Sequence, residues 1–376
     1  MTAAATLPRM RRLRLSATLT AYIARQFTWR WAAFYLAIGG VTVLVSAVDL
    51  LDRLANKQGA GFDVIVKLVM LKLPYLTQEV MPFTLLFAGM ATFWRLTRNH
   101  ELVVARAAGV SIWQFLLPVI SVAVVIGLLT VTVLNPVASA LLGRFEQLEA
   151  RYTDNPQQTL SLSKNGLWLR QADPDGQSVI HAARMSPATT TLWQVIVFRF
   201  DAEDRFLNRI DAERAELGNK AWVLYRARES APGRRSRSSE TLELRTDLTP
   251  AKIMDSFAPP ETISFWALPG FINLLEVSGF SAHRHSLQLH KLLATPLLFT
   301  AMILLAATFS LRPQRRGRIA LVIVSGMLAG FLLYFLSSFV FALGLSAKLP
   351  VILAGWTPAG ITMMLGIAML LHLEDG

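Results

Sequence analysis

The fold is decided by the stretch RLTRNHELVVARAAGVSIWQ, which runs from Arg95 to Gln114. Long apolar segments precede and follow it, whereas its own sequence is too polar to cross a bilayer. We therefore expect it to lie at one face of a membrane. The two flanking segments then become spans 2 and 3 of a multispan protein.

A short helix is predicted within this stretch, at about residues 97–111. Asn99 is a favoured N-cap residue, and the carboxylate of Glu101 suits the positive end of the helix dipole. The residues at helical spacing on one face are Leu102, Ala105, Gly109 and Ile112. With the neighbouring small residues they form a shallow surface that another protein could approach closely. The alternative interpretation is an ordinary connector in the lipid interface.

The composition indicates an integral membrane protein. Of the 376 residues, 53% are hydrophobic and 16% are charged, and the mean hydropathy is +0.44. A soluble domain carries about 25% charged residues. The net charge of +12 comes with arginines that cluster beside apolar runs, which indicates membrane topology and not a nucleic-acid-binding face. The absence of cysteine excludes disulfides, thiolate zinc sites and a cysteine nucleophile.

Six apolar segments have the length of a membrane span, since about 20 residues cross the hydrocarbon core. The predicted spans are residues 31–51, 62–93, 112–134, 287–311, 319–343 and 351–371. Pro74 and Pro82 predict kinks in span 2. Lys67, Lys72 and Glu79 lie in or beside the same span. Because a charge in lipid is costly, we expect these side chains to face a cavity or a partner, or the two lysines to reach the headgroup layer.

Residues 135–285 contain no span. After a helical extension, short segments of alternating polarity are separated by turn signals, which is typical of a β-sandwich or jelly roll. The predicted strands are residues 166–170, 178–183, 192–200, 215–217, 221–227 and 240–248. The predicted fold class is therefore an α-helical membrane protein of six transmembrane helices, with an external β-jelly-roll-like domain inserted between helices 3 and 4. Its domains are residues 1–134, 135–285 and 286–376.

The distribution of basic residues predicts the orientation. One side holds the N-terminal arginines, the Arg95–Arg106 region and the Arg312–Arg318 turn, whereas the opposite short loops hold only Arg53, Lys57 and Lys348. The positive-inside rule then places both termini and the short helix in the cytoplasm and the β domain outside.

We find no catalytic constellation in the sequence. His100 and Glu101 begin an HExxH pattern, but Val104 occupies the second histidine position, so a zinc-protease helix is excluded. No Walker A, GxSxG or GxGxxG sequence is present. His283, His285 and His290 cluster before span 4 without a carboxylate or thiolate in the same segment, which favours interfacial histidines over a metal site.

Several short motifs in this order resemble the LptF/LptG family, the permease subunits of the lipopolysaccharide exporter. The segment from His100 to Gly109, HELVVARAAG, is similar to the family's SELVVMxASG motif, and Pro74 and Pro82 keep the spacing of its two prolines. Residues 165–168 (NGLW) and 247–250 (DLTP) resemble the family's QGLW and NLTP sequences at the two ends of its external domain. The region from Ser278-Gly279 to Leu287-Gln288-Leu289 resembles the approach to span 4.

The resemblance covers nearly the whole chain and implies a non-catalytic transport role. Family members of the LptG type, the more similar type, pair with an LptF-type permease in the bacterial inner membrane. An LptB ATPase dimer holds ATP and magnesium, so no cofactor is expected on this chain. LptC associates with the pair, and the external domain leads to a periplasmic LptA bridge. Lipopolysaccharide would leave the outer leaflet of the inner membrane through the cavity between the permeases, with no nucleic-acid partner.

The resemblance also implies roles for particular residues. The helix that couples to the ATPase would include Glu101, Leu102, Ala105, Arg106 and Gly109. Lateral-gate positions in spans 1 and 5 would be Val41, Gly326, Gly330 and Leu333, with glycines suited to close helix contact. Cations for the lipopolysaccharide headgroup would be Arg53, Lys57, Lys67, Lys72, Arg144 and Lys291. Each of these cations could instead be a residue that only reaches the membrane interface.

One departure and three alternatives stay open at this point. Family members carry a lysine near the outer end of span 1, where this chain has Asp49 and Asp52, which leaves the headgroup contacts undetermined. The chain could be an LptF-type paralogue. It could be a membrane enzyme acting on lipid or peptide with Glu79 or His290 as acid or base, in which case the isolated chain would be active. It could also be a scaffold that transports nothing.

Overall fold

The computed structural model describes residues 17–54, 61–150, 152, 160–163, 166–173, 176–186, 190–201, 205–218, 221–246, 258–277, 281–311 and 319–375. The chain forms two compact units. The helical unit comprises Met1–Ser46, Tyr75–Leu134 and His290–Gly376, and the sheet unit comprises Ala47–Pro74 and Asn135–Leu289. The arginine-rich segment 9–14, Lys57, residues 247–250, Ser278-Gly279 and the 312–318 turn lie outside the described residues.

The helices follow the apolar runs of the sequence closely. They are α1 (Ala17–Leu54), α2 (Phe62–Arg98), α3 (Glu101–Ala107), α4 (Ile112–Leu129), α5 (Asn135–Glu149), α6 (Leu268–Val277), α7 (His283–Ser310), α8 (Ile319–Leu345) and α9 (Val351–Asp375). The first helix starts 14 residues before the predicted span, so the segment that carries Arg25 and Arg30 is already helical.

Five described helical stretches are long and apolar enough to cross a membrane: Ala17–Leu54, Ile112–Glu149, His283–Ser310, Val324–Leu345 and Val351–His372. The second helix, α2, is not among them although it is 37 residues long. Lys67, Lys72 and Glu79 interrupt its apolar sequence, so its composition alone does not identify it as a span. Six spans are therefore not confirmed by length and composition.

Span 3 was predicted to end at Leu134, before Asn135-Pro136, but the helix does not break there. A π-helical turn, Thr130–Leu134, follows α4 and leads directly into α5, giving continuous helix from Ile112 to Glu149. The wider turn accommodates Pro136, which has no amide hydrogen for the α-helical ladder. The hydroxyl of Thr130 donates a hydrogen bond to the Ile126 carbonyl oxygen at 2.7 Å.

The helical unit packs around α7. In its most apolar stretch 67% of α7 is buried, whereas the corresponding value for α1 and for α8 is 17%. Glycines on three other helices face α7 closely: a Cβ atom would lie 2.8 Å from Ala306 Cβ at Gly89, 2.7 Å from Pro296 Cα at Gly127 and 2.8 Å from Leu304 Cβ at Gly366. Such small residues let helix backbones approach in the absence of a hydrophobic drive between spans.

The described strands form one seven-stranded antiparallel sheet. They are β1 (Leu160–Ser163), β2 (Gly166–Asp173), β3 (Gly176–Ser186), β4 (Thr191–Phe200), β5 (Phe206–Leu217), β6 (Ala221–Ser230) and β7 (Arg237–Arg245). The prediction of a separate β domain is confirmed. The jelly-roll strand order is not confirmed, because the described strands pair only with their neighbours in the chain and the short connections hold consecutive strands side by side.

A bend crosses the middle of this sheet. Inward residues are three apart there, with Leu192 and Val195 buried on β4 and Ala212 and Ala215 buried on β5. Gln194 has φ +54°, and Arg226 on β6 has φ +51°, a left-handed conformation that non-glycine residues rarely adopt. Pairing keeps one register on both sides of the bend, so the inward–outward alternation of side chains shifts by one residue while the strands stay aligned.

The sheet has its own apolar core, which α6 completes. Trp222, Val197, Leu224 and Ile210 are almost fully buried on one face, and Leu275 of α6 belongs to the same cluster. A hydrogen bond of 2.8 Å from the Phe265 amide to Asn135 Oδ1 links the segment before α6 to the start of α5. The sheet unit is therefore a sheet with α6 packed on its apolar side.

Candidate functional site

The predicted coupling helix is shorter in the structure than in the sequence analysis. Helix α2 extends to Arg98, and α3 covers only Glu101–Ala107 within the expected range 97–111. Asn99 was expected to cap α3, and this is wrong. The N-cap is His100, which adopts φ 61° and makes no side-chain capping bond. A left-handed residue at this point turns the chain sharply between α2 and α3.

Glu101 is held by two other parts of the helical unit. The amide nitrogen Nδ2 of Asn99 donates a hydrogen bond to its Oε1 at 3.2 Å, and the hydroxyl of Tyr22 donates to the same atom at 3.4 Å. Its side chain is therefore partly engaged within the chain. Arg106 and Gly109 are exposed, and Gly109 has φ 84°, which lets the chain turn towards α4.

The apolar face of α3 points inward. Leu102 is 6% exposed and Ala105 packs against the core of the helical unit. Both residues were predicted to form a surface for another protein, but Leu102 is buried and Ala105 is partly buried against the core of this chain. The large apolar residues that α3 presents outward are Val103 and Val104, which are 58% and 67% exposed. Two consecutive outward valines are an unpartnered apolar patch on a seven-residue helix.

The predicted headgroup cations of the sheet unit do not share one environment. Arg53 is paired with Asp49 at 3.1 Å, one turn away on α1. Lys72 Nζ lies 5.0 Å from the centroid of the Phe145 ring, and Phe145 is the neighbour of Arg144 in α5. Lys67 and Arg144 are exposed. Lys72 thus packs on a buried ring of α5, whereas Arg144 is exposed on the same helix.

The predicted cation of the helical unit, Lys291 on α7, has two partners. Its Nζ donates a hydrogen bond to Glu79 Oε1 at 3.3 Å and lies 5.0 Å from the centroid of the Phe341 ring. Beside it, Trp356 Nε1 donates to His290 Nδ1 at 3.2 Å. The sequence analysis named Glu79 and Lys291 separately and did not predict that they pair, because nothing in their spacing brings α2 and α7 together.

The predicted gate residues on α1 and α8 lie in different environments. Val41 on α1 is 65% exposed, as a seam position requires. Leu333, however, is 7% exposed, and a Cβ atom at Gly326 or Gly330 would collide with side chains of α2, namely Met90 and Leu86. Leu333 lies on the same helical face as the two glycines. The close contact that these glycines permit is therefore with α2 of the same chain.

The outward face of α8 carries large apolar residues that the sequence analysis did not single out. Leu328, Phe331, Leu332 and Phe335 are each more than 60% exposed. Because α8 is apolar on every side, its sequence has no amphipathic signal that would distinguish the outer face from the packed one.

The histidines before span 4 are placed separately. His285 Nε2 lies 3.1 Å from the Ala258 carbonyl oxygen, and His290 bonds to Trp356. Within the described residues no group of three or more histidine, aspartate or glutamate side chains could hold a metal ion.

These features define a class: a multispan helical membrane protein that carries a separate antiparallel sheet and presents apolar faces on its two least buried spans. The family model described as "Lipopolysaccharide export system permease LptF/LptG" matches residues 21–372. The chain belongs to this family of lipopolysaccharide export permeases, which are transport subunits and not catalytic enzymes.

Curated relatives carry the same name in two organisms. The lipopolysaccharide export system permease protein LptG of Escherichia coli strain K12 is 24% identical over 339 residues, which is 88% of this chain and 92% of that protein. The protein of that name from Haemophilus influenzae strain Rd is 23% identical over 333 residues, 84% of this chain and 88% of that protein. The similarity therefore extends over both the helical and the sheet unit.

Proposed function

We propose that this chain is an LptG-type permease subunit that extracts lipopolysaccharide from the outer leaflet of the inner membrane and passes it to a periplasmic β bridge. The observation that carries the proposal is the family match over residues 21–372, which includes both the spans and the sheet. The names of the curated relatives favour the LptG type over the LptF-type paralogue. A separate ATPase chain would bind ATP and magnesium and supply the energy.

We propose that the chain lies in the bacterial inner membrane with six spans, both termini in the cytoplasm and the sheet in the periplasm. The arginines of the sequence support this orientation through the positive-inside rule. Helix α2, which contains predicted span 2, would bring the number of spans from five to six. Its 37 residues extend over about 55 Å, more than the hydrocarbon core requires, so charged residues near its ends can lie outside the lipid.

The partner permease, of the LptF type, would contact α1 and α8. Both helices are the least buried spans, and both present large apolar side chains such as Val41 and Leu332. A seam between two permeases would bury these faces and could open laterally for the lipid. The gate would thus use the outward residues of α8 instead of Gly326, Gly330 and Leu333.

The LptB ATPase dimer would dock at α3. The exposed pair Val103 and Val104 supplies an apolar contact, and Arg106 and Glu101 supply charge at its rim. Contacts of this kind, with an apolar centre and charged edges, are typical of protein interfaces.

LptC and the LptA bridge would continue the sheet by adding strands to it. Among the described strands, β1 and β7 each pair with one neighbour only, so each leaves an edge of the ladder open for a partner strand. The bend at Gln194 supports a curled, jelly-roll-like shape for the domain, with its apolar face on the inside.

A copurification experiment with a transport measurement tests the function. The tagged chain, purified in detergent from its native host, should bring an LptF-type permease, an LptB ATPase and LptC with it. The reconstituted complex should release lipopolysaccharide from vesicles to added LptA only when ATP is present. Lipid release that proceeds without any ATPase subunit would contradict the proposed role.

A further inference from the structure

Four helices meet in a polar cluster at one end of the helical unit. We call it the Lys291 cluster and define it as Glu79 of α2, His290 and Lys291 of α7, Phe341 of α8 and Trp356 of α9. The ion pair has an N–O distance of 3.3 Å, and the ammonium group lies 5.0 Å from the centre of the Phe341 ring. The Lys291 cation therefore links α2, α7 and α8, and the Trp356–His290 hydrogen bond adds α9 to the cluster.

The position of the cluster along the helices places it at the outer boundary of the lipid. Glu79 lies 16 residues before Arg95, which is about 24 Å along α2. Lys291 lies 20 residues before Leu311, about 30 Å along α7. Since the hydrocarbon core is about 30 Å thick, distances of about 24 and 30 Å place the cluster close to the far boundary of that core from the arginine-rich side. Trp356 also suits this level, where tryptophan is enriched.

The pair is accessible and not enclosed. The side chains of Lys291 and Glu79 are 46% and 35% exposed. A buried ion pair would be locked by the cost of separating its charges, whereas an exposed pair contributes little to stability and can exchange partners. An intramembrane or interfacial ionisable pair is also a functional candidate by default.

The surroundings of Lys291 hold the cation ready for such an exchange. The Phe341 ring attracts the ammonium group without neutralising it. Gly355 lets α9 come close to the backbone of α7. A Cβ atom added at Gly355 would lie 3.2 Å from the carbonyl carbon of His290 and 3.3 Å from the backbone nitrogen of Lys291. The Trp356–His290 hydrogen bond fixes the same turn. The lysine backbone is thus positioned while its charged end remains reachable.

We propose that Glu79 is an internal counter-ion for Lys291 and that the phosphate headgroup of the transported lipid displaces it. The inference rests on the proposed function and adds a competing residue to it. Without lipid, the Glu79 carboxylate is paired with the Lys291 ammonium group. When lipid binds, its phosphate replaces the carboxylate as the partner of that ammonium group. Lysine is a common point-charge partner for phosphate, and a phosphate monoester carries more charge than a single carboxylate.

Glu79 therefore sets the affinity for the phosphate group, keeping it weak enough for the lipid to be released. The ligand chemistry is a lipid phosphate, which lipopolysaccharide carries on its lipid A portion and phospholipids carry as a diester. The Lys291 ammonium group could bind the phosphate of either lipid, and the experiment distinguishes the two.

The test measures binding of a labelled, diphosphorylated lipid A to the copurified complex in detergent. Glu79→Gln should raise the affinity about fivefold, the effect of about one favourable charge at an anionic surface. Lys291→Gln should lower the affinity, and Glu79→Gln should add nothing in the Lys291→Gln background. Glu79→Asp retains the charge but shortens the side chain, so it should raise the affinity less than Glu79→Gln does. It provides the test if Glu79→Gln impairs folding.

The controls separate charge at the cluster from overall charge and from the lipid source. Glu276→Gln, an exposed glutamate on α6, changes the net charge equally and should leave binding unchanged. A dephosphorylated lipid A should not respond to Glu79→Gln, whereas an equal response with phosphatidylglycerol would show that the site accepts any lipid phosphate.

The inference is overturned if wild-type complex binds lipid A but Glu79→Gln leaves the affinity unchanged or lowers it. It is also overturned if the increase persists without Lys291. Failure of the proposed function has a different result, namely that the wild-type complex does not bind lipid A above the level of a neutral detergent-like lipid.

Discussion

The hydroxyl of Tyr22 donates a hydrogen bond of 3.4 Å to Glu101 Oε1, although 79 residues separate the two in the chain. The bond joins the first helix of the protein to the short helix α3. Asn99 donates to the same carboxylate oxygen, so Glu101 is positioned from two sides. A glutamate placed in this way can fix the orientation of α3 whether or not a partner also contacts it.

Glu101 is expected to have a coupling role beyond this structural one. Glu101→Gln keeps the shape and one acceptor oxygen, which can still accept hydrogen bonds from Tyr22 and Asn99, but removes the charge. If a basic ATPase groove contacts the carboxylate, the loss of an interfacial charge pair should weaken docking by about 2–5 kcal/mol. The measurement is ATPase affinity for the detergent-solubilised chain, together with ATP-driven lipid release.

Tyr22→Phe is the matched control, since it removes only the internal hydrogen bond, which contributes about 1 kcal/mol. It should loosen α3 without removing the charge. Equal docking by Glu101→Gln and wild type would confine Glu101 to a structural role.

The orientation can be tested in a chain that contains no cysteine, so that each introduced thiol is the only one. A cysteine at Ser238 on β7 should react with a membrane-impermeant maleimide in cells whose outer membrane is permeabilised and whose inner membrane is intact. A cysteine at the exposed Ala108 should react only after the inner membrane is broken. The positive-inside rule gives this expectation, and the opposite labelling pattern would reverse the proposed topology.

The seam with a second permease should follow the exposed face of α8. A photocrosslinking residue at Leu332, which is 62% exposed, or at Val41 on α1 should capture a chain of similar size. The same residue at Leu333, which is 7% exposed, should give no intermolecular product, because this side chain packs within the protein. Mass spectrometry of the crosslinked band identifies the captured chain. Capture from Leu333 but not from Leu332 would place the seam on the opposite face.

The sheet bend predicts a local preference against β-branched residues. Gln194→Val should lower the free energy of unfolding by about 1–2 kcal/mol, because a residue branched at Cβ does not fit φ +54°. Gln194→Gly should stay within about 0.5 kcal/mol of wild type, since glycine relieves the steric conflict but loses more entropy on folding. Chemical unfolding in mixed micelles, followed by tryptophan fluorescence, measures both. A valine that is tolerated as well as glycine would show that the left-handed conformation is not required.

The elements with a strong periodic signal could be predicted from the sequence, and the others could not. The apolar run at the end of the chain predicted span 6 to begin at Val351, and α9 does begin there. In β5, by contrast, only residues 215–217 were predicted, although the strand begins at Phe206. The charges of Arg209, Asp211 and Glu213 mask the strand, because pairing with β4 and β6 on both sides holds it in the sheet.

The candidate site shows the same limit more sharply. Residue types predicted which side chains could meet lipid or ATPase, but contacts between distant helices decided their arrangement. The pairing of Glu79 with Lys291 spans 212 residues, and the packing of Gly330 on Leu86 needs the mutual position of α2 and α8. A helix that is apolar on all sides contains no information about which face is packed.

Gly355 gives the last prediction, because it links packing to the Lys291 cluster. A Cβ atom there would lie 2.6 Å from His290 Cβ and 3.2 Å from the His290 carbonyl carbon, and backbone atoms cannot move aside as a flexible side chain can. Gly355→Ala should therefore destabilise the protein by about 1–3 kcal/mol, the usual cost of overpacking, despite the better helix propensity of alanine. Unfolding by SDS titration in mixed micelles measures the loss.

Gly360→Ala is the matched control on the same helix, since nothing lies within 4 Å of its added Cβ, and it should be neutral or slightly stabilising. If α9 is pushed away from α7, the Trp356–His290 hydrogen bond is also broken, so Gly355→Ala should shift the tryptophan emission and Gly360→Ala should not. Equal stability of the two alanine variants would mean that α7 and α9 do not pack as closely as the structure has them.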